Sequence, residues 1–148
     1  MRRLFIMRKD LNMSPGKLAA QVAHCAEAYW TKKMSRYAIP VTQYDDSNII
    51  LNYDCSFLLP RDEYEDYIDS SFVKTICEAK SKKHLLKAKT MAEELGLVDG
   101  QDFGLIHDNC LTELEPEEDN GTTLTGIWFR PLPDDVSHSI SKKYQLYK

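Results

Sequence analysis

The residues best placed to do chemistry begin at Ser14-Pro15-Gly16-Lys17 and continue through SPGKLAAQVAH, residues 14–24. Ser14 has the side chain of an N-cap, and Pro15 suits the first helical position, where its missing N–H costs nothing. A helix start presents unpaired N–H groups and the positive end of the dipole, which suits it to holding an anion. Gly16 lets a ligand approach the backbone, and Lys17 adds a full charge. Lys17, Gln21 and His24 fall at i, i+4 and i+7 and share one helical face. A polar stripe on a helix that otherwise reads as buried points to a ligand. The same residues also describe a plain capped helix, with Lys17 reaching water and Gln21 satisfying backbone groups; taken alone, they leave both descriptions open.

A second group centres on Asp108, with Thr112 four residues on and Thr122 and Thr123 across an acidic run. Ligands of α/β sheets bind at strand ends, and a carboxylate with hydroxyls there can orient a water or a ribose hydroxyl. An ordinary Asp/Thr turn is the alternative. His24, His84, His107 and His138 form no metal pattern, so no metal is assigned. There is no GxSxG elbow and no P-loop, so no serine or cysteine nucleophile has a supporting context.

The elements that must position these groups follow from periodicity. Residues 3–8 read as a buried strand, and residues 14–35 as an alanine-rich helix with Leu18, Val22, Cys25 and Tyr29 on one stripe. Residues 39–41, 48–51 and 56–59 read as short strands or an elaborated loop, and 61–70 as a short acidic helix. Strands are expected at 72–78, 102–107 and 123–130. A helix at 81–95 stops at Gly96, and a closing helix spans 133–146. This order predicts a three-layer α/β/α sandwich around a mixed four-stranded sheet. The chain reads as one domain over 1–148, with an acidic insert at about 36–71.

Composition narrows the class. The chain has 148 residues, 43% hydrophobic and 28% charged, ordinary for a soluble domain with its own core. No apolar run approaches the ~20 residues of a membrane span. The run at 4–7 is too short for a signal peptide and lacks a clear cleavage site. Cys25, Cys55, Cys77 and Cys110 are widely spaced with no CxxC pair, which reads as reduced thiols in the cytoplasm. The net charge of −4 is segregated: residues 1–36 are +6, 37–69 are −7, 70–100 are +2 and 101–148 are −5. Basic segments flanking an acidic block either form one positive patch for nucleic acid or are scattered solvated faces.

In order, these blocks resemble the type-2 peptidyl-tRNA hydrolase family. RKDLNMSPGKLAAQVAHC is similar to its opening strand, loop and helix, with the core M-S-x-G-K-x-A-A-Q-x-x-H. VKTICEAKSKKHLLKAKTMAEELGL at 73–97 resembles its second strand and helix. FGLIHDNCLTELEP resembles its third strand and D-A-G-x-T-Q-x-x-P segment, and TLTGIWFRPLPDDV its T-x-x-G-I strand. The resemblance covers residues 3–35 and 72–147. It implies hydrolysis of the ester joining a peptide, or an N-blocked aminoacyl group, to the 3′ ribose of tRNA, with no cofactor. Carried over by position, Lys17, Asp108, Thr112, Thr123 and His24 are the catalytic candidates, and Ser14, Gly16 and Gln21 the substrate-binding ones. On this reading Lys17 and the first-turn amides stabilise the carbonyl oxygen or hold a phosphate, and Asp108 positions or deprotonates the water. Thr112 and Thr123 hydrogen-bond the ester or ribose, and His24 orients. Arg2, Arg3, Lys9, Lys32 and Lys33 would contact the tRNA backbone.

Three departures stand out. Asp108-Asn109-Cys110 replaces D-A-G, so either the backbone is relaxed there or Cys110 takes up space near the site. Glu113 replaces the Gln, and Glu117-Glu118-Asp119-Asn120 lengthens the loop before Thr123. Carboxylates there are expected to weaken RNA binding and make it more salt-sensitive. Residues 36–71 are longer and more acidic than the family pattern. Two other readings therefore stand beside the hydrolase: a non-hydrolytic member of the fold that binds RNA, a protein or another anion, and a homodimeric module anchored on Trp30, Tyr37, Tyr44 and Tyr53.

Overall fold

The computed structural model describes residues 1–42 and 49–148. In chain order the elements are β1 (Arg2–Arg8), α1 (Pro15–Tyr37), β2 (Ile39–Thr42), β3 (Ile50–Asp54), a π-helical segment (Glu63–Ser71), β4 (Val73–Ala79), α2 (Lys82–Glu94), β5 (Phe103–Asp108), β6 (Thr123–Phe129), α3 (Asp134–Ser141) and β7 (Gln145–Leu146). Leu4, Phe5, Ile6 and Met7 of β1 are fully buried. Such a continuous apolar run marks a strand covered on both faces. The pleat sends Leu4 and Ile6 into one core layer and Phe5 and Met7 into the other.

The main sheet runs β5-β6-β1-β4-β7. β4 is parallel to β1, β6 is antiparallel to β1, β5 is antiparallel to β6, and β7 is antiparallel to β4. The C-terminal ends of β1, β4 and β5 therefore lie together at one end of the sheet, beside the start of β6. Both α1 and α2 begin there. α1 covers one face through Cys25 and Tyr29, packed on Phe5, Met7 and Trp128. α2 and α3 cover the other through Leu85, Ala88, Ala92 and Ile140. The mixed sheet between helical layers agrees with the sequence reading.

The sheet has five strands, not the four expected. The expected closing helix over 133–146 stops at Ser141, because Tyr144 turns inward: it is buried, and its hydroxyl donates to the His84 carbonyl at 3.0 Å. The chain leaving that turn pairs Gln145 and Leu146 with Glu78 and Cys77, and so covers the open edge of β4.

Within the insert, β2 and β3 form an antiparallel hairpin of their own. No strand forms at 56–59, and the acidic helix expected at 61–70 is π-helical. The expected strand start at Asn48 and the expected anchor Tyr44 lie outside the described residues. Glu63 ties the insert to the body. It is buried, accepts from the Tyr29 hydroxyl at 2.5 Å, and lies 3.4 Å from Arg130 and 3.8 Å from Lys33.

Two arginines expected at the RNA do other work. Arg3 is 1% exposed and donates to the carbonyls of Cys25, Ala26 and Phe129, fastening α1 to β6. Burial pushes its guanidinium below its ordinary value. Arg2 pairs with Asp134 at 2.7 Å. Both lie at the start of β1, opposite the end where α1 begins.

Arg8, also buried, anchors the acidic loop. It donates to both Glu117 oxygens, at 2.5 and 2.9 Å, to both Asp10 oxygens and to the Leu124 carbonyl. Its fork holds the Glu117 carboxyl below the usual carboxylate range. Arg8→Met removes these charge-assisted bonds, each worth about 1.5–3 kcal/mol. It is expected to destabilise the fold by about 2–3 kcal/mol in denaturant titration and to raise amide exchange across residues 115–121.

Gly104 lies opposite Trp128 in the β5–β6 register. A Cβ at 104 would fall 2.8 Å from the Trp128 ring, which is fully buried and has nowhere to move. At Gly126 the clash is with the flexible end of Met7. Gly104→Ala is therefore expected to cost about 1–3 kcal/mol, and Gly126→Ala less, as measured by thermal denaturation.

Candidate active site

Ser14 caps α1 as expected: its Oγ accepts from the Lys17 N–H at 3.3 Å, and Pro15 opens the helix. That start fixes the rotation of α1, and the helix lays Lys17 and Gln21 against Asp108, the last residue of β5. Lys17 Nζ lies 2.7 Å from Asp108 Oδ2 and donates to Thr112 Oγ1 at 3.2 Å. Gln21 Nε2 donates to the same Asp108 oxygen at 2.6 Å. The Cys110 N–H donates to Asp108 Oδ1 at 2.8 Å. Burial alone would push the Asp108 carboxyl up. The Lys17 ammonium, the Cys110 N–H and the Gln21 amide outweigh it and hold the carboxyl below the usual range.

Cys110 has φ 55, the left-handed region in which glycine carries no penalty. Cys110 thus adopts a conformation that a glycine at this position would take without strain. The turn aims its own N–H back at Asp108.

His24 lies further along α1 and is exposed. It lines a groove of about 510 Å³ with Asp108, Asn109, Leu105, Leu111 and Thr31. Above Gly16 the space is open, with nothing within 4 Å of where a Cβ would be. Thr123 is placed differently. It is buried, accepts from the Glu117 N–H at 2.9 Å and donates to the Glu115 carbonyl at 2.6 Å, so its hydroxyl pins the acidic loop. Ser14 is occupied as well. Its N–H and hydroxyl both donate to Glu113, at 2.5 and 2.6 Å, and hold that carboxyl below its ordinary value. Glu113 thus sits at the positive end of α1.

The structure adds Thr125, which the sequence reading did not single out. Its hydroxyl lies 2.7 Å from Gln21 Oε1 and fixes the amide so that Nε2 faces Asp108. A register shift explains this. Ile106 pairs with Gly126 and His107 with Leu124, leaving Thr125 as the extra residue on β6. A bulge of this kind re-aims a side chain. Strict alternation would have put Thr125 on the opposite face.

Two carboxylates of the acidic loop are paired within the fold. Glu117 faces Arg8, while Glu118 lies 2.9 Å from Lys82 and 3.6 Å from His107. Among the described residues no group of three or more His, Cys, Asp or Glu is placed to hold a metal ion. All four cysteines are free, and no described helix is long and apolar enough to cross a membrane.

The family model for peptidyl-tRNA hydrolase PTH2 matches residues 1–147. A relative named peptidyl-tRNA hydrolase, from Thermoplasma acidophilum, is 26% identical over 110 residues, 74% of this chain and 71% of the relative. The family's chemistry is hydrolysis of the ester between a peptide, or an N-blocked aminoacyl group, and the 3′ end of tRNA. With its model matched almost from end to end, this chain belongs to the peptidyl-tRNA hydrolase PTH2 family.

Proposed function

We propose that the hydrolysis is carried out at the Lys17–Asp108 pair, with the substrate's ester lying in the groove beside His24. The observation that carries this reading is the 2.7 Å contact between Lys17 Nζ and the Oδ2 of Asp108, which lines the groove. Water attacks the ester carbonyl, and negative charge grows on its oxygen. An ammonium has three N–H donors. Asp108 and Thr112 engage two of them, and the third serves the carbonyl oxygen together with the Gly16 N–H. A carboxyl held below the usual carboxylate range is a weak base. Asp108 therefore orients the attacking water and offsets positive charge on it. The Thr112 hydroxyl accepts from Lys17 and is left to donate to the departing ribose oxygen, which leaves with the proton given up by the attacking water. His24 borders the bound ester and orients it, while Gln21 holds Asp108. Ser14 and Thr123 act by fixing the helix start and the acidic loop.

On the same reading the chain works as one hydrolase domain carrying residues 36–71 as an insert, in the cytoplasm where its substrate arises. The β2–β3 hairpin supports a homodimer through that insert: Ile39, Val41, Ile50, Leu51 and Tyr53 are 45–64% exposed.

Lys17→Ala and Asp108→Asn are each expected to lower kcat on N-blocked aminoacyl-tRNA about 100- to 1000-fold, the cost of removing one preorganised charge. Thermal denaturation checks that the variants fold. Wild-type rates in both would sink the assignment.

The pH dependence follows from the direction of the Asp108 shift. Asp108 must be ionised, so kcat/KM is expected to stay level on acidification until below about pH 4. An acid limb near about pH 6.5, where ordinary histidines titrate, contradicts this reading. Because the folded-state value lies below the unfolded one, the pair's contribution to stability is present at neutral pH. It is lost as pH falls through the depressed value.

A further inference from the structure

We propose that the concave face where β4 passes into α2 is a docking surface for the phosphodiester backbone of tRNA behind the scissile ester. The proposal rests on the hydrolase reading above. The concavity holds about 420 Å³ and is lined by Lys80, Lys83, Lys87 and Lys143, with Glu78 as its one carboxylate. Glu78 already lies 3.6 Å from Lys9. Among the described residues none of the four lysines has a carboxylate within 4.0 Å, whereas Lys82 and Lys89 of the same helix do.

Helix polarity makes this arrangement costly without a ligand. The first turn of α2 holds Lys82, Lys83 and His84 and no acid. Each cation there opposes the helix dipole, by about 0.3–1 kcal/mol at an exposed position. α3 shows the usual arrangement, with Asp134 and Asp135 in its first turn. A polyanion would relieve the uncompensated field at α2.

The floor beneath the lysines is firmly built. The His84 ring stacks on Tyr144 at 4.6 Å, its Nδ1 accepts from the Lys80 N–H at 3.1 Å, and its backbone N–H donates to Ser81 Oγ. The lysines therefore extend from a fixed concave backbone.

Location and charge select the occupant. β4 and β5 end at the same end of the sheet, three strand spacings apart, or about 14 Å. α1 lies over one face of the sheet and α2 over the other, so a tRNA held by its 3′ ester at Asp108 would reach this surface round the end of the sheet that both share. Of the five basic residues expected to meet RNA, Arg3 is in the core, Arg2 pairs with Asp134 and Lys33 lies beside Glu63, whereas Lys9 lies at the edge of this concavity, beside Glu78. Contacts from lysine to phosphate give affinity without reading sequence.

The test compares the wild-type chain with a variant carrying Lys80→Gln, Lys83→Gln, Lys87→Gln and Lys143→Gln. A control carries Arg36→Gln and Lys74→Gln, at the opposite end of the sheet. Each hydrolyses N-acetyl-aminoacyl-tRNA and the same ester on a CCA trinucleotide, and each binds deacylated tRNA over a salt series. The fourfold variant is expected to raise KM for the full tRNA ester about tenfold or more, with kcat and the short ester unchanged. Its log–log salt slope should shrink by about 3, since each phosphate that is no longer neutralised removes about 0.7–0.9. An unchanged KM and slope overturns the proposal. So does an equal loss on the short ester, an equal loss in the control, or tRNA binding kept while binding to anionic vesicles is lost. A wild-type chain that cleaves neither ester overturns the hydrolase reading, and the binding series still decides this one.

Discussion

A carboxylate at the end of a covered strand must be compensated where it stands, and the site is organised around that requirement. Asp108 has a side chain 10% exposed and cannot rely on water. Its compensation comes from three directions: Lys17 and Gln21 from α1, and the Cys110 N–H from its own turn. Each donor is supplied by a different structural decision. The N-cap fixes where α1 starts, the left-handed Cys110 aims the turn, and the bulge at Thr125 locks the Gln21 amide. Asp108 is held below its ordinary value with Lys17 as its main partner. That avoids the cost of an isolated buried charge.

The same logic accounts for the acidic departures. Glu113 meets the unpaired donors at Ser14, which an exposed helix start would otherwise leave to water. Glu117 and Glu118 are partners of Arg8 and of the Lys82–His107 pair, so the lengthened loop is fastened down to the end of the sheet. The insert follows suit, with Glu63 closing on Tyr29, Lys33 and Arg130. Part of the charge segregation along the chain is thus the linear trace of ion pairs between segments distant in sequence.

Periodicity and local chemistry made most of the fold readable. The unbroken apolar run of β1 needs cover on both faces. Ser14-Pro15 can only open a helix. Leu85, Ala88 and Ala92 repeat at helical spacing and meet the sheet as expected, whereas Leu95, expected inward with them, is 46% exposed at the helix end. What escaped is what local pattern does not carry. Gln145-Leu146 lies next to a helix and shows no strand of its own; it becomes β7 only because β4 has a free edge and Tyr144 is drawn inward. Arg3 reads as an RNA contact in a basic N-terminal segment. Its burial depends on three carbonyls, two from α1 and one from β6.

By itself the sequence determined the helix start with Lys17, Gln21 and His24 on one face, the strand end bearing Asp108, and the ordered blocks that mark the family. Those features depend on neighbours within a few residues, where spacing translates directly into direction. Only the tertiary structure decided that Lys17 and Asp108 touch, and that Thr123 holds a loop while Thr125 holds Gln21. Only it set the anion-attracting start of α1 against Glu113, paired Lys82 with Glu118 and left Lys83 and Lys87 of α2 without a carboxylate partner among the described residues. These outcomes turn on strand register and on which charges meet across the fold. A one-residue bulge reverses the face of a side chain without leaving a mark in composition or period.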